Sequence, residues 1–233
     1  MMICSMAEKP LVLYEDNHVI VVVKPENMLS QEDITAEDDM VNFIKGYLKE
    51  KYQKPGNVYL GLVHRLDRRV GGVMVFARTS KAASRLSEDI RNHRFKKQYY
   101  AIVTGKILED ATITDYIVKE EKNNKQIARI SSIKDEKAKE AILEYAVLKH
   151  IRIENKDFTV LQINLITGRY NQIRLQLAHR EHPIVNDFKY GYVGANIDNS
   201  LGLWCQKITF LHPISREEVE ISYLPKEGVW RFL

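Results

Sequence analysis

The stretch His64-Arg65-Leu66-Asp67-Arg68-Arg69-Val70-Gly71-Gly72-Val73-Met74-Val75-Phe76-Ala77 sets one acid among three arginines and runs straight into a β-rich segment. Val73–Ala77 reads as a strand, with Gly71-Gly72 as a flexible entry. Upstream, Leu11–Tyr14 and Val19–Val23 are two more β-rich runs, parted by the turn-like Glu15-Asp16-Asn17. Met40, Phe43, Ile44, Tyr47 and Leu48 then recur at helical spacing, with acids before them and lysines after, as the helix dipole prefers. Pro55-Gly56-Asn57 breaks that pattern. Downstream, Ser80 can cap a helix that turns Ala83, Leu86 and Ile90 inward. Tyr99–Val103, Ile113–Val118, Ile127–Ser131, Ala141–Leu148 and Phe158–Leu165 read as strands. Arg169–His179 reads as a helix with Ile173 and Leu177 on its apolar side, and Ile208–Leu211 and Val219–Tyr223 as closing strands. Strands therefore follow one another with only occasional helices. That order predicts an α+β fold with a mixed, largely antiparallel sheet and flanking helices, not a regular βαβ alternation.

The 233 residues suit one domain with a sizeable core. The expected organisation is a short extension over 1–10 and a single domain over 11–233, with charge-rich exposed turns at Lys119–Lys125 and Lys134–Lys139. The chain has neither a signal-peptide pattern at Met1–Pro10 nor an apolar run near the roughly 20 residues that span a bilayer. Cys4 and Cys205 stand far apart, which argues against a disulfide scaffold or zinc site and fits a reducing cytoplasm. His179 and His182 have a possible metal spacing, but Pro183 interrupts the helix and no Cys/His cluster supports them, so no metal is expected. Trp204 and Trp230 read as packing residues.

Net charge is +4, unevenly spread. From His64 to Lys106 eleven Lys or Arg stand against three acids, a local +8 that leaves −4 for the remainder. A basic block beside aromatics points to a polyanion such as a nucleic acid; the competing reading is a solvated basic helix face.

Three segments can carry chemistry. Asp67, amid Arg65, Arg68 and Arg69, would be kept ionised by its neighbours and could then act as a nucleophile. The alternative is a surface ion-pair cluster worth about 0–1 kcal/mol. In Lys96-Lys97-Gln98-Tyr99-Tyr100-Ala101, strand alternation sends the two tyrosines to opposite faces. One can stack on a base while the other packs inside, or both can be ordinary sheet residues. In Leu165-Ile166-Thr167-Gly168-Arg169-Tyr170-Asn171-Gln172-Ile173-Arg174 a strand ends at Gly168 and a helix begins, offering N–H groups to an anion. Arg169 and Arg174 lie five apart, so they would serve different partners.

Taken together, these segments resemble the motifs of the RluA-type pseudouridine synthases. His64-Arg65-Leu66-Asp67, continued by Val75-Phe76-Ala77-Arg78-Thr79, is similar to that family's H-R-L-D element. Lys97-Gln98-Tyr99 resembles its K-x-Y element, and Leu165–Arg169 with Gln172-Ile173-Arg174 its L-x-T-G-R-x-x-Q-I-R element. Leu13–Asp16 with Lys24-Pro25, and His182–Asp187 with Tyr190-Gly191, resemble its opening and later stretches. The likeness runs over about residues 11–223. Two departures flank the site: Val70-Gly71-Gly72 where many members have Thr-Ser-Gly, and Asn171 where many have His. An appended N-terminal RNA-binding domain, common in the family, is expected to be absent.

The resemblance implies a pseudouridine synthase fold and isomerisation of uridine in ribosomal or transfer RNA by a monomer without cofactor or metal. It implies Asp67 as the attacking group, Arg174 as the cation that keeps it charged and aimed, and Tyr99 as the ring that takes the base and can accept the carbon 5 proton. Arg65 would fill the stack vacated by a flipped uridine. Arg68, Arg91, Arg94, Lys96, Lys97 and Arg169 are the expected further RNA contacts. A non-catalytic RNA-binding protein on the same fold is the other class to weigh. A carboxylate hydrolase would need a second placed acid, which the motifs do not offer.

Overall fold

The computed structural model describes residues 10–34, 37–122, 125–153 and 155–233. In chain order its main elements are β1 (Val12–Glu15), β2 (Val19–Lys24), α1 (Met40–Lys51), β3 (Gly61–Leu62), β4 (Gly71–Ala77), α2 (Ser80–Arg91), β5 (Lys96–Thr104), β6 (Ala111–Lys122), β7 (Lys125–Ser131), β8 (Lys139–Ile153), β9 (Lys156–Leu165), α3 (Gln172–His179), β10 (Leu203–Leu211) and β11 (Glu218–Ser222). The chain divides into two compact units. The first comprises residues up to Phe95 with Ile208–Tyr223; the second comprises Lys96–Lys207 with Leu224–Leu233. The expected extension, except Pro10, and Cys4 with it, lies outside the described residues.

In the first unit the strands run in the order β1-β2-β4-β10, with β3 added to β4 and β11 to β10. β2 is fully buried because both faces of Val19-Ile20-Val21-Val22-Val23 are branched and apolar. It pairs antiparallel with β4, Val21 opposite Val75 and Lys24 opposite Gly72. Gly71 and Gly72 are thus buried strand residues and not a loose entry. Gly72 has φ 137°, a conformation that side chains resist. The Asp16 carboxylate accepts from the His18 and Val19 amides, which turns the chain between β1 and β2.

Asp39 caps α1 by accepting from Val41 N and Asn42 N, and Met40, Ile44 and Leu48 form its buried stripe. Thr79, not Ser80, caps α2, and the buried face is Ala82, Leu86 and Asp89. The inward face is therefore turned by one residue from the expected one, because a buried acid replaces an apolar side chain on it.

In the second unit the order is β10-β5-β9-β8-β6-β7. The ladders β5–β9, β9–β8, β8–β6 and β6–β7 are all antiparallel. Ile102, Leu143 and Leu161 are fully buried there. β6 runs through Lys119–Lys122 as paired strand, Lys119 opposite Ala128, where an exposed turn was expected. Residues 123–124, at the centre of that expected turn, lie outside the described set. Trp204 and Trp230 do pack, edge to face at 6.3 Å.

α3 starts at Gln172, three residues later than its periodicity suggests. Asn171 adopts φ 53°, a left-handed conformation that Asn tolerates better than most residues, and it donates to the Tyr190 hydroxyl at 2.9 Å. The Gln172 carbonyl accepts from Arg169 N and from the Thr167 hydroxyl, so this side chain pins the strand-to-helix turn.

Candidate active site

In the first unit Asp67 opens a tight turn. Val70 N donates to its carbonyl at 3.0 Å and Arg69 N to its Oδ1 at 2.9 Å. An aspartate at the first turn position is favoured for this side-chain-to-backbone bond. The carboxylate is half-buried between buried Leu66 and exposed Arg68. His64, two places before Leu66, is buried, accepts from Val75 N at 3.1 Å and lies against the Phe95 ring at 5.1 Å. The turn is thus anchored to β4 on its upstream side. Arg65 is exposed. Arg68 pairs with Glu37, an exposed contact of small energy.

Lys24 is a residue that reading the sequence did not single out for the site. Its side chain is wholly buried at the end of β2. Burial pulls its pKa down to about 7, against the opposing pull of Asp67 and Glu26. Its sequence signals are its place in the Lys24-Pro25 pair of the opening element and at the end of an otherwise apolar strand.

The second unit holds Lys97, Tyr99, Arg169 and Arg174. Tyr99 is buried and Tyr100 half-buried, so it is Tyr99 that points inward. Burial, reinforced by the neighbouring Cys205 thiol, raises the Tyr99 phenol well above its ordinary pKa. The Cys205 thiol is likewise pushed up by burial, to about 12, and burial pulls the Lys97 ammonium down. Lys97 Nζ lies beside Gly168, where a Cβ would come within 3.5 Å of it. The K-x-Y and T-G-R segments therefore meet.

Arg174 is buried in α3 and grips Asp187 side-on: Nε to Oδ2 at 2.7 Å and Nη2 to Oδ1 at 2.6 Å. Its guanidinium lies over the Tyr190 ring, 4.9 Å from the centroid. Burial raises the Tyr190 pKa despite the bond from Asn171. Arg169 donates through Nε to Glu140 O, so the two arginines do serve different partners. Asp187 as the acid that fixes Arg174 was not foreseen, although it lies in the H-P-x-x-x-D stretch.

Of the outlying basic residues, Arg91 and Lys96 are exposed. Arg94 differs: with Arg216 it holds the buried Asp89 carboxylate. Burial pushes Asp89 upward, and the bonds from Arg216 and Arg94 more than offset it, leaving the carboxyl below its usual range. Arg94 thus has a structural partner that the charge count could not show. No helix among the described residues is long and apolar enough to cross a membrane.

The architecture is shared with solved pseudouridylate synthase domains. Human RNA pseudouridylate synthase domain containing 1 superposes with a TM-score of 0.74 at 21% identity, over 97% of this chain and 87% of that one. The fold is thus the α+β pseudouridine synthase fold. A family model for RNA pseudouridylate synthase matches residues 18–179. Ribosomal large subunit pseudouridine synthase C of Buchnera aphidicola subsp. Baizongia pistaciae is 32% identical over 223 residues, 91% of this chain and 66% of that protein. tRNA pseudouridine synthase C of Vibrio cholerae is 29% identical over 236 residues, 95% of this chain and 93% of that protein. The chain belongs to the RluA-type RNA pseudouridylate synthase family, a family of isomerases.

Proposed function

We propose that this chain isomerises uridine to pseudouridine in structured ribosomal or transfer RNA, as a monomer in the cytoplasm, with Asp67 as the attacking carboxylate. The observation that carries the reading is the placement of Asp67. It is a half-buried acid at the head of a hydrogen-bonded turn, in the H-R-L-D element, within the residues that match the family model. The names of the two relatives, one for ribosomal and one for transfer RNA, support the substrate class.

The reaction cuts the N-glycosidic bond, turns the base and rejoins it through carbon 5. Asp67 attacks carbon 6 of the base or carbon 1′ of the sugar, or helps to expel the uracil, and each route needs an ionised carboxylate close to the glycosidic bond. Arg174, a permanent cation with its planar fork held by Asp187, is assigned by resemblance to keep Asp67 charged and aimed. Tyr99 supplies the ring for the target base. A paired uridine has to leave its stack at a cost of a few kcal/mol, which favours loops and bulges as targets. Arg65, exposed beside Asp67, suits the role of filling the gap.

The test is incubation with ribosomal and transfer RNA transcripts, read by mass spectrometry of nucleosides. Pseudouridine at a defined position supports the proposal. Binding without conversion favours the non-catalytic RNA-binding reading, and free uracil favours a hydrolase.

A further inference from the structure

Two buried side chains outside the family motifs' proposed chemistry bracket the Asp67 turn. On one side is Ser30, whose hydroxyl donates to Leu66 O at 2.8 Å and accepts from Leu66 N at 3.1 Å. One hydroxyl thereby satisfies both backbone groups of the residue just before Asp67. On the other side is Lys24. Its ammonium donates to Pro25 O at 2.8 Å and Met28 O at 2.7 Å, and to Arg68 O, of the residue just after Asp67, at 3.1 Å. Lys24 and Ser30 are 0% and 5% exposed, so neither is placed to touch RNA by itself. Both belong to the segment that closes β2, and β2 is registered on β4 through Lys24 opposite Gly72.

We infer that Lys24 and Ser30 are positioning residues for catalysis: they form a two-point clamp that sets the backbone of Leu66 and Arg68 and so aims the carboxylate between them. The inference rests on the reading of Asp67 as nucleophile. The physical basis is that a buried N–H or C=O without a partner is costly, so the Leu66 and Arg68 groups hold the geometry in which their partners can reach them. An ammonium with three carbonyl acceptors fixes three points of chain at once. Its wrapped Pro25–Met28 loop transmits the rigidity of β2 to the turn. The bond from Arg69 N to the Asp67 carboxylate shapes the turn locally. A misplacement of about 1 Å can cost about a hundredfold in rate.

The experiment is single-turnover pseudouridine formation at saturating RNA, with RNA affinity measured in parallel, on Ser30→Ala, Ser30→Thr, Lys24→Met and Asp67→Asn. Each is assayed at a temperature where circular dichroism shows it folded. The clamp predicts that Ser30→Ala and Lys24→Met slow the chemical step by about ten- to a hundredfold with RNA Kd within about twofold. Ser30→Thr, which keeps the hydroxyl, should stay near the wild-type rate. A wild-type rate in Ser30→Ala, or an effect on Kd alone, overturns the clamp. If Lys24→Met does not fold, the two serine variants decide. Should Asp67→Asn be inactive while Ser30→Ala is fully active, the clamp alone fails. If Asp67→Asn is fully active, the assignment of Asp67 fails and the clamp with it.

Discussion

Replacing Asp187 by asparagine should strip Arg174 of a bidentate anionic partner inside the second unit. The side chains are 4% and 0% exposed, with contacts of 2.7 and 2.6 Å, so solvent screens the pair very little. The two parallel bonds to a carboxylate give way to hydrogen bonds to a single uncharged amide oxygen, and the ionic attraction is lost. Breaking a buried ion pair from one side costs about 3–5 kcal/mol. Against a total stability of about 5–15 kcal/mol, that is a large fraction. Urea unfolding followed by tryptophan fluorescence is the suitable assay, because Trp204 and Trp230, the chain's two tryptophans, both lie in this unit. The midpoint should fall by the lost free energy divided by the m-value. Putting Leu at 187 and Met at 174 together should recover much of the loss, since well-packed apolar pairs often match buried ion pairs in stability. A loss under about 0.5 kcal/mol in Asp187→Asn, on the scale of an ordinary surface change, would show that the buried pair does not hold the second unit together.

Tyr99→Phe should leave RNA affinity nearly unchanged and depress the chemical step, because the ring remains and only the hydroxyl at Cys205 is lost; matching single-turnover rates would rule the hydroxyl out of the chemistry. Neutralising exposed Arg91 and Lys96 together should lower the slope of log affinity against log salt by about 1.4, at about 0.7 per single-strand phosphate contact, whereas an unchanged slope would place the RNA elsewhere. Burial pulls the Lys24 pKa down to about 7 in the folded chain, from 10.5 for a solvated lysine such as the unfolded chain presents. Between those values the unfolded chain binds more protons, so this group makes stability rise with pH over that window. The stability of Lys24→Met relative to wild type should therefore fall as pH rises from about 7 to 10, and a difference that is flat with pH would contradict the burial of a titrating ammonium.

Much of the fold was legible because its strands are rich in β-branched and aromatic residues, as in Val19–Val23 and Val73–Ala77, and because α1 repeats its apolar residues at Met40, Ile44 and Leu48. The misreadings have local causes. Gly71 and Gly72 look like a loop by composition, yet the ladder to β2 recruits them as strand. β3 spans only two residues, too few for any pattern to show. Ser80 and Thr79 are both competent caps, and which one serves depends on backbone angles. α3 starts late because the Gln172 side chain ties up the turn that periodicity would have made helix. For the candidate site, the motifs point to Asp67, Tyr99 and Arg174 by resemblance. The partners of the motif residues were hidden, since Asp187, Cys205, Ser30 and Lys24 meet them only through the folded chain. Arg94 shows the converse: a cation counted toward RNA in a charge tally is held by Asp89, an acid that burial had concealed.

The proposed role of Asp67 as the attacking group is tested by pseudouridine formation in Asp67→Asn under single-turnover conditions, with binding of the same RNA followed in parallel. The amide keeps the size and the bond from Arg69 N while removing the ionised oxygen. RNA binding should persist at near wild-type affinity while no pseudouridine forms. Turnover within about tenfold of wild type would contradict that role, because loss of a nucleophile costs far more than that.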